Sequence, residues 1–211
     1  MSLRNNKNCA YIFDFDGVLV DSMQLHFQCL ARVCHNVGIR VRFDEFAAHA
    51  GIPTRQQIIW HAKKKTHPVD TENMLSQYRK LFVAGIDQIQ PIECNINLMT
   101  MLRNVGIKTA IASSSLAEFV LPTTKRFGIV CDAIITVDDV KNGKPAPDLF
   151  LKAASALESK PADCIVIEDA DIGVEAAYRA GMAVLRYSTP YGETARKNTT
   201  TIINVPEFTA A

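Results

Sequence analysis

The chain has 211 residues, of which 48% are hydrophobic and 21% are charged, and its formal net charge is +1. This composition is typical of a globular protein with one substantial core, and the length leaves room for a smaller second domain. A net charge near zero argues against a polyanion as partner, and no apolar segment is long enough to span a bilayer. The polar N-terminus lacks the apolar segment of a secretory signal, and the six cysteines show no C-x-x-C spacing. We therefore expect a cytoplasmic monomer with reduced thiols and with neither a nucleic-acid nor a membrane partner.

Short apolar runs rich in valine and isoleucine recur along the chain, and helical patterns alternate with them. The predicted strands are 10–13, 107–112, 133–137, 164–167 and 183–186, with a weaker one at 201–205. The predicted helices between them are 95–105, 116–127, 147–157 and 173–180. Continuous apolar strands that alternate with helices are typical of a parallel sheet covered on both faces. The pattern therefore predicts an α/β fold with a Rossmann-like, doubly wound parallel sheet as its core.

The interval from about residue 22 to residue 90 breaks this alternation. It contains no convincing strand but four amphipathic stretches, at 23–37, 43–50, 55–64 and 71–86. The simplest interpretation is an all-helical cap domain at 22–90, inserted into a core formed by 1–21 and 91–211. Linkers near 20–22 and 89–93 would let such a cap close over the sheet edge and exclude water from a site there.

The most informative motif follows the first strand, where Asp14 and Asp16 precede Gly17. In an extended segment, residues i and i+2 lean to the same side, so both carboxylates can face one volume at the carboxyl end of the strand. Open α/β folds bind their ligands at that edge of the sheet. Two crowded carboxylates repel each other, and a hard cation such as Mg²⁺, which prefers oxygen ligands, relieves the repulsion. An acidic turn without function is the alternative.

Three further polar segments follow later strands. Ser113, Ser114 and Ser115 end the second strand, and hydroxyls at a helix start can bind phosphate, although serine is also a common N-cap. Lys144 precedes two prolines that stiffen its loop, although most lysines are surface residues. Glu168 and Asp169 end the fourth strand, where they can ligate the same cation or simply cap the next helix.

Together, these segments resemble the four motifs of the haloacid dehalogenase superfamily of phosphotransferases, and the resemblance covers nearly the whole chain. The segments VKNGKPAPD (140–148), EDADIG (168–173) and AGM (180–182) look like the β-phosphoglucomutase-like subfamily. Within that group, the chain looks most like bacterial sugar-phosphate phosphatases of the fructose-1-phosphate and 6-phosphogluconate type, and GIPT (51–54) adds to the likeness.

The resemblance implies a role for each acidic residue. Asp14 would be the nucleophile that becomes an aspartyl-phosphate. Asp16 would protonate the leaving oxygen and then activate water. The cofactor would be Mg²⁺, held by Asp14, the carbonyl of Asp16 and Asp169, with Glu168 assisting through water.

The resemblance also implies which residues bind substrate, a small phosphorylated metabolite. The phosphoryl group would be held by Ser113, Ser114 and Lys144 and received in the turn at Phe15 and Gly17. His26 and Arg55 would contact the substrate from the cap.

The implied activity is a Mg²⁺-dependent phosphatase that hydrolyses small phosphorylated sugars or sugar acids. A β-phosphoglucomutase is the alternative, but mutases are expected to carry Lys-Asn shortly after the motif-two serine, where this chain has Leu116 and Ala117. That departure favours hydrolysis. A non-catalytic Rossmann-like binding domain is disfavoured because every motif residue is present, and neither G-x-G-x-x-G nor G-x-x-x-x-G-K occurs.

Overall fold

The computed structural model describes residues 9–187 and the backbone of residues 201–202. The strands are β1 (Ala10–Phe13), β2 (Val20–Asp21), β3 (Gln90–Pro91), β4 (Lys108–Ala112), β5 (Ala133–Ile135), β6 (Cys164–Glu168), β7 (Ala183–Arg186) and β8 (Thr201–Ile202). The helices are α1 (Met23–Asn36), α2 (Phe43–Ala47), α3 (Thr54–Ala62), α4 (Thr71–Gly85), α5 (Glu93–Asn104), α6 (Ala117–Arg126), α7 (Asp148–Ala156) and α8 (Asp171–Arg179). Short 3-10 turns lie at Ile86–Gln88, Val137–Asp139 and Pro161–Asp163.

One six-stranded sheet forms the centre of the fold, in the order β5-β4-β1-β6-β7-β8. The first five strands are parallel, and β8 pairs antiparallel with β7. The strand order reverses direction on either side of β1, so the chain's first strand lies at the switch point of a doubly wound sheet. The predicted fold class is confirmed. The weak strand predicted at 201–205 begins as expected, and its residues 203–205 lie outside the described residues.

The two faces of the sheet carry separate apolar clusters because side chains alternate along each strand. On β1, Ile12 packs with α7 and α8 through Phe150 and Val174, whereas Phe13 packs on the opposite face with α5 and α6 through Met99 and Phe119. Both faces of the strands are therefore buried, which explains why their sequences read as unbroken apolar runs.

Helices α1 to α4 lie between β2 and β3, which pair with each other antiparallel at the base of the insert. A backbone hydrogen bond of 2.8 Å from the Ile92 N–H to the Leu19 carbonyl extends this contact. The insert also packs on the core, since the rings of Phe82 on α4 and Phe119 on α6 are 4.2 Å apart. The helices confirm the helical character predicted for this interval, while the division into two domains at 21/22 and 90/91 stays a prediction.

Within residues 9–187, no helix combines the length and the apolarity that a membrane crossing requires. All six cysteines are free thiols, and Cys29, Cys34 and Cys164 are buried. The cytoplasmic location and the monomeric state remain predictions.

Candidate active site

The topology brings four distant segments to one edge of the sheet. Strand β1 pairs with β4 on one side and with β6 on the other, so the residues that follow these three strands are neighbours in space. The loop before α7 adds Lys144 to them. The side chains of Asp14, Asp16, Lys144 and Asp169 line one cavity, whose opposite wall comes from the helical insert. About 50 Å³ of this cavity is accessible to the centre of a water molecule.

Lys144 is almost completely buried, with 1% of its surface exposed. Its Nζ donates to Asp14 Oδ1 at 2.6 Å and to Glu168 Oε1 at 2.7 Å. Burial by itself lowers the pKa of Lys144, but the two carboxylates outweigh burial and raise it. Lys144 therefore stays a cation in a site that contains four carboxylates.

Asp14, Glu168 and Asp169 form an acidic cluster, with one carboxylate oxygen of each lying within 4.8 Å of the others. Burial, together with repulsion from Glu168 and Asp16, raises the pKa of Asp14 to about 7 despite Lys144. Burial and repulsion from Glu168 and Asp14 likewise raise the pKa of Asp169 well above its usual value. A divalent cation would relieve this crowding, and the all-oxygen donor set fits Mg²⁺.

Two glycines make room for these carboxylates. A Cβ on Gly17, whose φ is +84°, would lie 2.3 Å from Asp169 Oδ2. A Cβ on Gly173 would lie 1.6 Å from Glu168 Oε1. Any other residue at either position would displace a carboxylate from the cluster.

Asp16 has different surroundings from Asp14. Its Oδ2 accepts from Ser115 Oγ at 2.6 Å and from Ser113 Oγ at 3.3 Å, and its Oδ1 accepts from Ser22 Oγ and lies 3.1 Å from His26 Nε2. Burial alone raises the pKa of Asp16, but the proximity of His26 and these hydrogen bonds lower it to about 2. The site thus holds one carboxylate that readily gains a proton and one that readily loses it.

His26, to which the resemblance gives a substrate contact, lines the cavity and lies against Asp16. Its second ring nitrogen, Nδ1, is hydrogen-bonded to the hydroxyl of Tyr78 on α4. Because Asp16 accepts at Nε2, the proton on the ring resides there if Tyr78 donates to Nδ1. The hydrogen-bonded series Tyr78–His26–Asp16 connects the interior of the insert to the sheet edge.

The remaining predicted residues are placed as follows. Ser114 lines the cavity, and its buried Oγ has no hydrogen-bond partner among the described residues. Ser113 lies beneath it and is fully buried, bonded to Asp16. Phe15 is buried in the turn after β1, where the Gly17 N–H donates to the Val20 carbonyl. Arg55 lies outside the cavity, in an exposed ion pair with Glu72.

Sequence reasoning assigned no role at the site to four polar residues that line it, namely Thr54, Gln57, Tyr78 and Ser115. Ser115 belongs to the serine run that pointed to the site, so its position gave a usable signal. Tyr78 lies in the amphipathic helix α4 and Gln57 in the short helix α3, where a buried aromatic or a partly exposed amide is ordinary. Nothing in their local sequence marks them as site residues.

The sequence pattern of the family described as haloacid dehalogenase-like hydrolase matches residues 11–187 of this chain. The chain therefore belongs to that family, which confirms the family and the hydrolase class predicted from the motifs. It is 32% identical to a β-phosphoglucomutase of Bacillus subtilis, over 82% of this chain and 80% of that protein. It is 31% identical to a fructose-1-phosphate phosphatase of Escherichia coli, over 81% of this chain and 92% of that protein.

Two further comparisons follow, one of sequence and one of structure. The protein SUPPRESSOR OF QUENCHING 1, chloroplastic, of Arabidopsis thaliana is 32% identical over 91% of this chain, but the chain spans only 19% of that protein's length. Among solved structures, a β-phosphoglucomutase from Clostridium difficile superposes with a TM-score of 0.76 at 28% identity, covering 87% of this chain and 86% of that one.

Proposed function

We propose that this protein is a Mg²⁺-dependent phosphatase that hydrolyses small phosphorylated sugars through an aspartyl-phosphate. The observation that carries the proposal is the convergence of Asp14, Asp16, Lys144 and Asp169 on one cavity beneath the insert. This set combines a nucleophile, an acid–base group, a cation for the phosphoryl oxygens and oxygen ligands for a metal ion. The phosphatase named among the relatives supports the same reaction class.

In the first step, a carboxylate oxygen of Asp14 attacks phosphorus, and the bond from phosphorus to the leaving oxygen breaks. The departing alkoxide takes a proton from Asp16, so that a neutral alcohol leaves. Lys144, 2.6 Å from Asp14, neutralises charge on the transferring group. The Ser114 hydroxyl, which lines the cavity, donates to a phosphoryl oxygen.

In the second step, water attacks phosphorus and Asp16 takes the proton that the water loses. The bond between Asp14 and phosphorus breaks, which restores the Asp14 carboxylate and releases phosphate. The hydrogen bonds that lower the pKa of Asp16 favour the base form needed here. Asp14, the Asp16 carbonyl and Asp169 would hold Mg²⁺, with Glu168 assisting through water. When bound, Mg²⁺ offsets the negative charge of the carboxylates and of the phosphate.

The first prediction tests the reaction and its nucleophile. Phosphate release from a panel of sugar phosphates should require Mg²⁺ and stop on addition of EDTA. Asp14→Asn should lower kcat by about 10³-fold or more because it removes the attacking oxygen's charge. The exposed Asp44→Asn is the matched control and should keep wild-type kcat. Mg²⁺-dependent release that survives in Asp14→Asn, or no release from any substrate, would contradict the proposal.

A β-phosphoglucomutase is the second candidate, because a relative with that name is 32% identical over most of the chain. A mutase must grip a second phosphate on the same substrate. Product analysis separates the two reactions: conversion of a hexose 1-phosphate into the 6-phosphate without phosphate release would establish the mutase.

A further inference from the structure

The wall that the insert contributes to the cavity carries no lysine or arginine among the described residues. Its side chains are apolar, as at Met23, Leu30 and Phe46, or polar and uncharged, as at Thr54 and Gln57. His26, the remaining basic group on this side, is held by Asp16 and Tyr78. Within the part of the chain that the structure describes, the side of a substrate that faces the insert therefore meets no lysine or arginine.

The insert does contain cations, but they lie elsewhere. Arg55 pairs with Glu72 on the outside, and Lys64 pairs with Glu45 beside the Trp60 ring. Lys144 is the lysine that lines the cavity, and it forms ion pairs with Asp14 and Glu168. A leaving group with its own negative charge would face Asp14, Asp16 and Asp169 without compensation.

Gln57 on α3 supplies a specific polar contact in this wall. Its Nε2 donates to the Ile52 carbonyl at 2.9 Å. Because a carbonyl can only accept, the amide nitrogen of Gln57 must face Ile52. The amide oxygen Oε1 is then the acceptor on the opposite side of the group. Oε1 is buried, and no donor reaches it within the part of the chain that the structure describes. A buried acceptor without a donor is unfavourable, so a hydroxyl delivered by a ligand would be stabilised there.

We propose that Gln57 is a specificity-determining residue, whose Oε1 accepts a hydrogen bond from a hydroxyl of the substrate, and that the substrate is a monophosphate ester of an uncharged polyol. This inference rests on the proposed function and narrows it: sugar acids and bisphosphates are disfavoured because the wall opposite the phosphoryl site cannot pair with a second anion.

The second prediction uses sorbitol 6-phosphate and gluconate 6-phosphate, which differ at the far end by a hydroxymethyl group and a carboxylate. The wild type should have the higher kcat/KM for sorbitol 6-phosphate. Gln57→Met keeps the length of the side chain without its acceptor and should lower that kcat/KM about tenfold. Gln57→Lys adds a cation and should raise the ratio of gluconate to sorbitol phosphate turnover about tenfold. Activity on p-nitrophenyl phosphate, which has no hydroxyl to offer, should change less than about twofold in Gln57→Met.

The adjacent Gln56 provides the matched control, because it is exposed and lines only the outer groove, whereas Gln57 lines both that groove and the cavity. Gln56→Met should leave the kcat/KM for sorbitol 6-phosphate unchanged, and Gln56→Lys should leave the ratio of gluconate to sorbitol phosphate turnover unchanged. A wild-type preference for gluconate 6-phosphate, or equal effects of the Gln56 and Gln57 variants, would overturn the inference while leaving the phosphatase intact. If no ester releases phosphate, the proposed function fails. Calorimetry in an Asp14→Asn background then tests the inference by itself: sorbitol 6-phosphate must bind more tightly than gluconate 6-phosphate, and Gln57→Met must weaken its binding.

Discussion

The difference between Asp14 and Asp16 comes from their neighbours, because the two residues are of one type and are separated by one position. Asp14 contacts Lys144 and the acidic cluster, and its pKa is about 7. Asp16 is surrounded by hydroxyl donors and His26, and its pKa is about 2. The low pKa suits Asp16 as the base of the second step, whereas the first step requires Asp16 to carry a proton and Asp14 to be ionised, and a bound divalent cation would favour the ionised form of Asp14.

Tyr78 should be a positioning residue for this chemistry. Its hydroxyl contacts His26 Nδ1, and the centroid of its ring lies 6.2 Å from that of His26 and 6.1 Å from that of Phe82. Tyr78→Phe keeps the ring but removes the hydrogen bond, so His26 should hold Asp16 less firmly. The third prediction is a loss of about tenfold in kcat/KM for a sugar phosphate, equivalent to about 1.4 kcal/mol, the upper range for one hydrogen bond.

The choice of leaving group separates positioning from a general structural effect. p-Nitrophenolate leaves without protonation, so Tyr78→Phe should change kcat/KM for p-nitrophenyl phosphate, which reports the first step, by no more than about twofold. Tyr178→Phe, on the partly exposed Tyr178 of α8, is the matched control and should affect neither substrate. Equal losses on both substrates would mean that Tyr78 only stabilises the fold.

At the same scale, the sequence pointed to the acids and Lys144 because four polar segments, each open to another interpretation by itself, together resemble the motifs of one family. Arg55 and Gln57 show the limit of such reasoning. They are two positions apart on one helix, and only a known helix orientation tells which of them meets the cavity. Side-chain orientation over the site depends on the packing of the insert, which no local pattern encodes.

At the scale of elements, the buried parallel strands were predictable because both of their faces are apolar. The predicted and observed bounds differ by two residues at the start of α5, by one at its end and by one at the start of β4, which is the usual uncertainty of helix and strand boundaries. Strands β2 and β3 could not be predicted. Each has two residues, and Val20-Asp21 paired with Gln90-Pro91 is too short to show a period.

Arg126 anchors the turn that leads into β3. From the C-terminal end of α6, its guanidinium donates to the carbonyls of Ile86 at 2.8 Å, Asp87 at 2.9 Å and Ile89 at 3.3 Å. These bonds tie the end of the insert to the core. The fourth prediction is that Arg126→Ala speeds amide hydrogen exchange in segment 86–92 without changing exchange in β1 or β6.

Mass spectrometry of exchanged peptides measures this effect. Arg42→Ala is the matched control, since Arg42 is exposed and pairs only with nearby Asp44 in the described contacts. It should leave segment 86–92 unchanged. Unchanged exchange in Arg126→Ala would show that the β2–β3 pair holds the segment without help from α6.

At the scale of the whole molecule, folding buries Asp14 and Glu168 at the switch point of the sheet and places the half-buried Asp169 beside them. Packing them there costs stability, and the raised pKa values of Asp14 and Asp169 report that cost. Lys144 offsets part of it through its two ion pairs. A bound divalent cation should therefore stabilise the whole fold, because the ligand oxygens are assembled only in the folded state.

The fifth prediction is a rise in Tm on addition of Mg²⁺, measured at constant ionic strength. At about 100 times the Kd, binding contributes about 2.7 kcal/mol, which corresponds to about 5–10 °C for a chain of this size. Asp169→Asn should abolish the rise, because it removes a ligand, and should raise the Tm of the metal-free protein by relieving repulsion. Asp44→Asn should keep the wild-type response. An equal rise in Asp169→Asn would place the cation elsewhere. No rise in the wild type would contradict a Mg²⁺ site at the acidic cluster.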